Sequence, residues 1–174
     1  MRRVGRWLLA LSLVAVLLAG VWFVTGFVRP TQPAAFDDGP VLVLGGDPSR
    51  AAVAAALVPD PSPDRPVWLS YSRAGWEAAG RSCDEPHVHC ISPEPMSTWG
   101  ETLAATELAD EHGWEQLTVL TSAFHRTRSA SLMERCLDVP VRVTGPPADG
   151  TVRWSLARDE AAATLLSAMI YRDC

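Results

Sequence analysis

The chain has 174 residues, 48% of them hydrophobic, and its 15 basic and 20 acidic side chains give a formal net charge of -5. Every basic residue is arginine and there is neither Lys nor Asn, which excludes Schiff-base and P-loop lysine chemistry, a Cys-His-Asn protease and N-glycosylation. Setting aside Arg2, Arg3 and Arg6 takes the charge from -5 to -8, a poor balance for nucleic-acid binding but no bar to a local arginine-lined pocket.

Trp7 to Val28 carries no charged residue. At about 1.5 Å per residue such a helix is about 33 Å long, enough to cross a bilayer core. Arg2, Arg3 and Arg6 precede the run and only Arg29 closely follows it. The positive-inside rule then places the N-terminus in the cytoplasm and the rest of the chain outside. A cleaved signal peptide would have a shorter apolar run and a small-x-small site. This run ends in Trp22, Phe23 and Phe27, so an uncleaved, single-pass anchor in the cell membrane is expected. The predicted organisation is a cytoplasmic stub and anchor over 1–30, a proline-rich linker over 31–39, and one α/β domain over 40–174.

Val41 to Leu44 is a continuous apolar run closed by Gly45-Gly46, the pattern of a buried parallel strand. Asp47-Pro48 predicts an N-cap and a first helical residue, with an alanine-rich helix to about Val58. Pro59 to Pro66 reads as a loop and Val67 to Tyr71 as a second strand. Ser72 to Pro86 is polar, irregular or partly helical, and Val88 to Ile91 is a short third strand. A helix is expected from Thr98 to about His112, closed by Gly113. A strand follows over Leu117–Thr121, then a helix over Ser122–Leu137, a strand over Val139–Thr144 and a terminal helix from Val152 to about Arg172. Alternating strands and helices predict a three-layer, Rossmann-like α/β/α domain with a mainly parallel sheet. Ligands of such sheets bind beyond the carboxyl ends of the strands. Gly45–Arg50, Ser70–Arg73 and Thr121–Arg128 fall there.

Within Thr121–Arg128, Ser122 is placed to cap the helix, with His125 in its first turn and Arg128 three residues later on the same face. A helix N-terminus beside arginine is a physical anion site, and imidazole is suited to proton transfer near neutral pH. The bland alternative is a His125 bonded to a neighbouring loop and an Arg128 paired with an acid. Thr98-Trp99-Gly100-Glu101 matches a capping box; alternatively Glu101 faces the crevice as acid or base. Gly45 and Gly46 would allow a ligand close to the first strand, and Arg50 either reaches an anion or lies on the surface. The loop lacks the dinucleotide fingerprint. Arg158, Asp159 and Glu160 near the start of the last helix are weak evidence alone, because acids suit a helix start. Trp68 and Trp114 read as core or interface fillers.

The four cysteines, Cys83, Cys90, Cys136 and Cys174, all lie in the part predicted to be outside, where disulfides persist. Cys83–Cys90 would staple a loop, and Cys136–Cys174 would tie a helix end to the chain terminus. A metal site from Cys83, His87, His89 and Cys90 is the alternative, but the spacing matches no common zinc pattern. No metal is therefore assigned.

Taken together, Val41–Gly46 with Arg50, Ser97-Thr98-x-Gly100-Glu101, Thr121-Ser122-x-Phe124-His125-x-x-Arg128 and Glu160 resemble the YdcF-like (DUF218) family, in its membrane-anchored actinobacterial form. The resemblance runs over about residues 40 to 172. Phe124 stands where the family usually has Tyr, Glu101 where many members have Asn, and Ser70–Gly75 lacks the common Ser-Gly-Gly turn. The resemblance implies a Rossmann-like domain and a polar crevice lined by Arg50, Glu101, Ser122, His125, Arg128 and Glu160. It implies an envelope role but no settled reaction. Two functions are expected to compete. One is an enzyme acting on a phosphate-containing or lipid-linked envelope metabolite, with Arg50 and Arg128 holding the anion, His125 transferring a proton or attacking, and Glu101 orienting it or serving as base. The other is a non-catalytic envelope factor binding a small anion or a partner protein. A bound S-adenosylmethionine has little support, because no Gly-x-Gly loop follows the first strand, and no cofactor is assigned.

Overall fold

A computed structural model of the chain describes residues 2–29, 33–146 and 154–171. Five strands, β1 (Val41–Val43), β2 (Val67–Ser70), β3 (Val88–Ile91), β4 (Leu117–Leu120) and β5 (Val141–Thr144), form one sheet in the order β3-β2-β1-β4-β5. All four pairings are parallel, as the strand–helix alternation predicts. The helices are α1 (Arg2–Phe23), α2 (Pro48–Leu57), α3 (Arg73–Ala78), α4 (Thr98–His112), α5 (Arg126–Cys136) and α6 (Trp154–Ile170).

The period of two along β1 explains the layers. Val41 and Val43 pack with Ala51, Ala54 and Val58 of the α2 segment and Trp76 of α3. Leu42 and Leu44 face the other way, toward Ala105 and Ala109 of α4 and Met133 of α5. Each of these strand residues is fully or almost fully buried, and each aliphatic side chain so buried is worth about 1.5–3 kcal/mol. The unbroken apolar run of β1 is therefore the signature of a strand covered on both faces.

Several local expectations are corrected. The cap of α4 is Ser97, whose Oγ accepts from the Gly100 N–H at 3.2 Å, and Thr98 is already helical. Glu101 is drawn off to the end of β1 instead of closing a capping box. The stretch after β4 opens with a 3₁₀ turn, Ala123–His125, in which the His125 N–H donates to the Ser122 carbonyl at 2.9 Å. This tightening is common at helix starts. Ser122 makes no side-chain cap there, because its hydroxyl is engaged by Arg50 and Asp47. β5 begins at Val141 rather than Val139, while the polar stretch is partly helical, as expected, over Arg73–Ala78. Asp47 caps α2 by accepting from the Ser49 N–H at 2.9 Å, with Pro48 at the first position.

The apolar N-terminal run contains a helix long and apolar enough to cross a membrane, with Ala10–Val28 at mean hydropathy 2.3. The end of this run packs into the domain. After Phe23 the helix widens into a π-turn, Val24–Val28, and Phe27 and Val28 pack in the domain against Ala123, Ala157 and Ala161. Phe23 stacks on Trp154 at 5.5 Å. Further on, Phe36 is tied to the domain by its N–H donating to Thr118 Oγ1 at 3.1 Å, with Arg142 over its ring.

Cys83 and Cys90 form a disulfide, so neither thiolate is available to a metal. Cys136 is also disulfide-bonded, and Cys174 lies outside the described residues. Val152 and Arg172 lie outside them as well.

Candidate functional site

The strand order reverses direction at β1, where β2 lies on one side and β4 on the other. Connections leaving there diverge to opposite faces and open a crevice at the carboxyl end of the sheet. A cavity of about 320 Å³ occupies this place, bounded by Leu44, Gly45, Gly46, Arg50, Glu101, Thr121, His125 and Arg128. All three segments expected there contribute: Gly45–Arg50, Tyr71 from Ser70–Arg73, and Thr121–Arg128.

Gly46 turns the chain at φ 109°, a conformation open to glycine and strained for other residues. The turn returns Arg50, one helical turn later, beneath the end of its own strand. Arg50 is buried. Its Nη1 donates to the carbonyls of Leu44, at 3.0 Å, and Gly45, and its Nε donates to Ser122 Oγ at 2.9 Å. The Ser122 hydroxyl donates in turn to Asp47 Oδ2 at 3.1 Å. This relay stitches the end of β1 to the end of β4. Burial pulls the Arg50 pKa down, against the opposing pull of Glu101, Asp47 and Glu160; a guanidinium stays charged through such a shift.

Glu101 enters from the first turn of α4. Its Oε1 accepts from the Gly45 N–H and from the Ser70 hydroxyl, each at 2.7 Å. It ties the ends of β1 and β2 to α4. Burial pushes its carboxyl pKa up, while the bonds from Gly45 and Ser70 and the charges of Arg50 and His125 oppose that. Gly100, beside it, is packed so tightly that a Cβ would lie 2.0 Å from the Pro95 carbonyl oxygen. Only glycine lets the loop before α4 cross over that turn.

The carboxylate in contact with His125 is Glu160, from α6. His125 Nδ1 lies 2.9 Å from Glu160 Oε1 and 3.1 Å from Arg128 Nη2. One ring nitrogen cannot donate to the carboxylate and accept from the guanidinium at once. With the proton on Nδ1 the ring donates to Glu160 and keeps a lone pair on Nε2; with the proton on Nε2, Nδ1 accepts from Arg128. Arg128 Nε is 3.2 Å from Glu160 Oε2. Neither of those two atoms has an aligned hydrogen bond, so the contact acts through charge. Glu160 and Arg128 thereby brace the ring from behind.

Tyr71 and Thr121 fall in the segments expected at the strand ends, with no role of their own assigned from the sequence. Tyr71 holds φ 48°, the left-handed region that glycine enters freely. Its hydroxyl donates to the Pro93 carbonyl. Thr121 is buried and its Oγ1 has no partner; a buried unpaired hydroxyl at a cavity wall is a group awaiting one. Tyr71 lines the cavity wall.

Gly45, Gly46, Arg50, Glu101, His125 and Arg128 thus line one cavity, with Ser122 and Glu160 directly behind it. Among the described residues no group of three or more His, Cys, Asp or Glu is arranged to hold a metal ion. No family model, curated protein or solved structure matches the chain.

Proposed function

We propose that the protein is a membrane-anchored, extracytoplasmic member of the YdcF-like family that acts on a phosphate-containing or lipid-linked envelope metabolite. The observation that carries this reading is the contact of His125 Nδ1 with Glu160 at 2.9 Å, at the edge of a cavity that also holds Arg50 and Arg128. A carboxylate behind an imidazole fixes its tautomer and stabilises the cation formed when Nε2 takes a proton. In the proposed reaction water attacks phosphorus while His125 Nε2 takes its proton, the P–O bond to the leaving group breaks, and the imidazolium returns that proton to the leaving oxygen. Arg128 and Arg50 neutralise charge on the phosphoryl oxygens. Glu101 positions: it holds the Gly45 turn and the start of α4 at one wall. The arginine-rich N-terminal stub and the apolar helix after it support the orientation, with the domain outside.

The test uses the full chain in vesicles with phosphomonoester and lipid-linked pyrophosphate substrates, followed by phosphate release. His125→Ala with an unchanged melting temperature is expected to lower turnover by about 10²–10⁴-fold. Equal release by the variant and the parent protein would sink the catalytic reading. In that case the arginines would support anion binding alone, as in an envelope factor without catalysis.

A further inference from the structure

α6 is folded inside out. Its buried positions are Ala157, Glu160, Ala161, Thr164 and Ser167, small or polar. Its large apolar side chains point outward: Leu165 is 54% exposed, Leu166 53%, Met169 59% and Ile170 60%. With 100° per residue, these four share the face opposite the buried one. No charged residue occurs from Ala161 to Ile170. A helix of a water-soluble domain turns such residues inward, so this face needs an apolar cover.

The anchor identifies the cover. Phe23 stacks on Trp154 at the start of α6, and Phe27 and Val28 pack against Ala157 and Ala161 of the same helix. The place where the anchor meets the domain is thus α6 itself. The helix has 17 residues, about 25 Å of length. One end is fixed where the apolar span ends, and the other carries the apolar face, with Tyr171 stacked on Trp99 beside it at 4.4 Å. The outward face of the C-terminal half of α6 is apolar and has the stacked Trp99 and Tyr171 beside it, aromatic residues favoured at a membrane–water interface, while Arg158 and Asp159 stay exposed nearer its start.

We propose that the outward face of α6 rests on the membrane, so that the domain is held there by two contacts, the span and this helix. The inference rests on the reading of α1 as a membrane anchor. It gives the crevice a definite setting. A groove of about 190 Å³ bounded by Trp99, Leu132, Leu166 and Ile170 shares Ser97, Thr98 and Arg128 with the His125 cavity. α6 on the bilayer sets the mouth of that groove against lipid.

The full chain in phosphatidylcholine–phosphatidylglycerol vesicles tests it. A photoreactive benzophenone amino acid replaces Val16 in the span, Leu165 or Met169 on α6, or Ala56 on α2, one at a time. Lipid adducts at Leu165 and Met169 comparable with those at Val16, and none at Ala56, are the expected result. Adducts at Val16 without adducts at Leu165 and Met169 would overturn the α6 contact and leave the anchor standing. Cross-links from α6 to a second copy of the chain would overturn it too. Absence of lipid adducts at Val16 would remove both the anchor and the contact.

Discussion

Two hollows lie at opposite ends of the same sheet, and both contain histidine. The one at the amino ends of the strands is larger, about 550 Å³ against about 320 Å³, and holds three imidazoles, His87, His89 and His112, with Trp68 and Trp114. His89 stacks on Trp68 at 4.0 Å, and its pKa is pulled down by burial, with the neighbouring His112 and His87 adding to this. Among the described residues His125 is the histidine paired with a carboxylate. The difference teaches that neither volume nor the number of imidazoles marks the better site. A ring held between Glu160 and Arg128 at a cavity edge sits among the charges that proton transfer needs. A ring stacked on indole among other imidazoles is packed, not poised.

The largest expected effect breaks that contrast most directly. On a substrate turned over by the parent chain, His125→Ala is expected to lower the rate by about 10²–10⁴-fold, the usual worth of a positioned acid–base group, while His89→Ala leaves it unchanged. Initial rates of phosphate release check this; a comparable loss from His89→Ala would move the site to the other end. The disulfide gives the next test. Cys83 and Cys90 are seven residues apart and brace the loop that carries His87. Replacing both with Ser should cost about 2.5 kcal/mol in the chain-entropy model, read by chemical denaturation, yet leave turnover per folded molecule intact. Lost turnover in folded protein would show that the two ends are coupled.

A smaller effect belongs to the wall of the crevice. Ser97→Ala removes the cap of α4, with an expected loss of about 1 kcal/mol in thermal denaturation. No loss would mean that Glu101, tied to Gly45 and Ser70, holds the helix start unaided. The smallest effect is in pH dependence. Burial raises the folded pKa of Glu101. Between its unfolded and folded values the native chain binds more protons than the unfolded one, so this group's contribution falls as pH rises through that window. Asp47 is shifted the other way, chiefly by the Ser49 hydroxyl, and its contribution is lost as pH falls through its lowered folded value. Melting temperatures against pH should therefore show Glu101→Gln gaining on the parent protein toward higher pH and Asp47→Asn gaining toward lower pH. Parallel curves for either variant would contradict the assigned shift.

Much of the frame was legible because it is written in short-range patterns. Val41–Leu44 is apolar at both parities, which requires cover on both faces, and the cover is there. Asp47-Pro48 caps α2, and Gly113, at φ 61°, ends α4. The cap of α4 was misplaced by one residue because Thr-x-x-Glu fits the local rule as well as Ser97 does. What separates them is the pull on Glu101 from Gly45, 56 residues away in the chain. The split of the Ser122 helix into a 3₁₀ turn and α5 was hidden for the same reason: Arg50 and Asp47 take the hydroxyl that would otherwise have capped it.

By itself the sequence determined the apolar N-terminal run, the alternation that makes a parallel α/β sheet, and the residues available for chemistry at the strand ends. Those follow from periodicity and from the intrinsic properties of single side chains. Only the tertiary structure decided that Glu160 and not Glu101 touches His125, that Phe27 and Val28 at the end of the apolar run join the core, and that α6 turns its leucines outward. Each of these is a choice among partners far apart in the chain, made by which surfaces meet when the layers pack, and no local pattern encodes such a meeting.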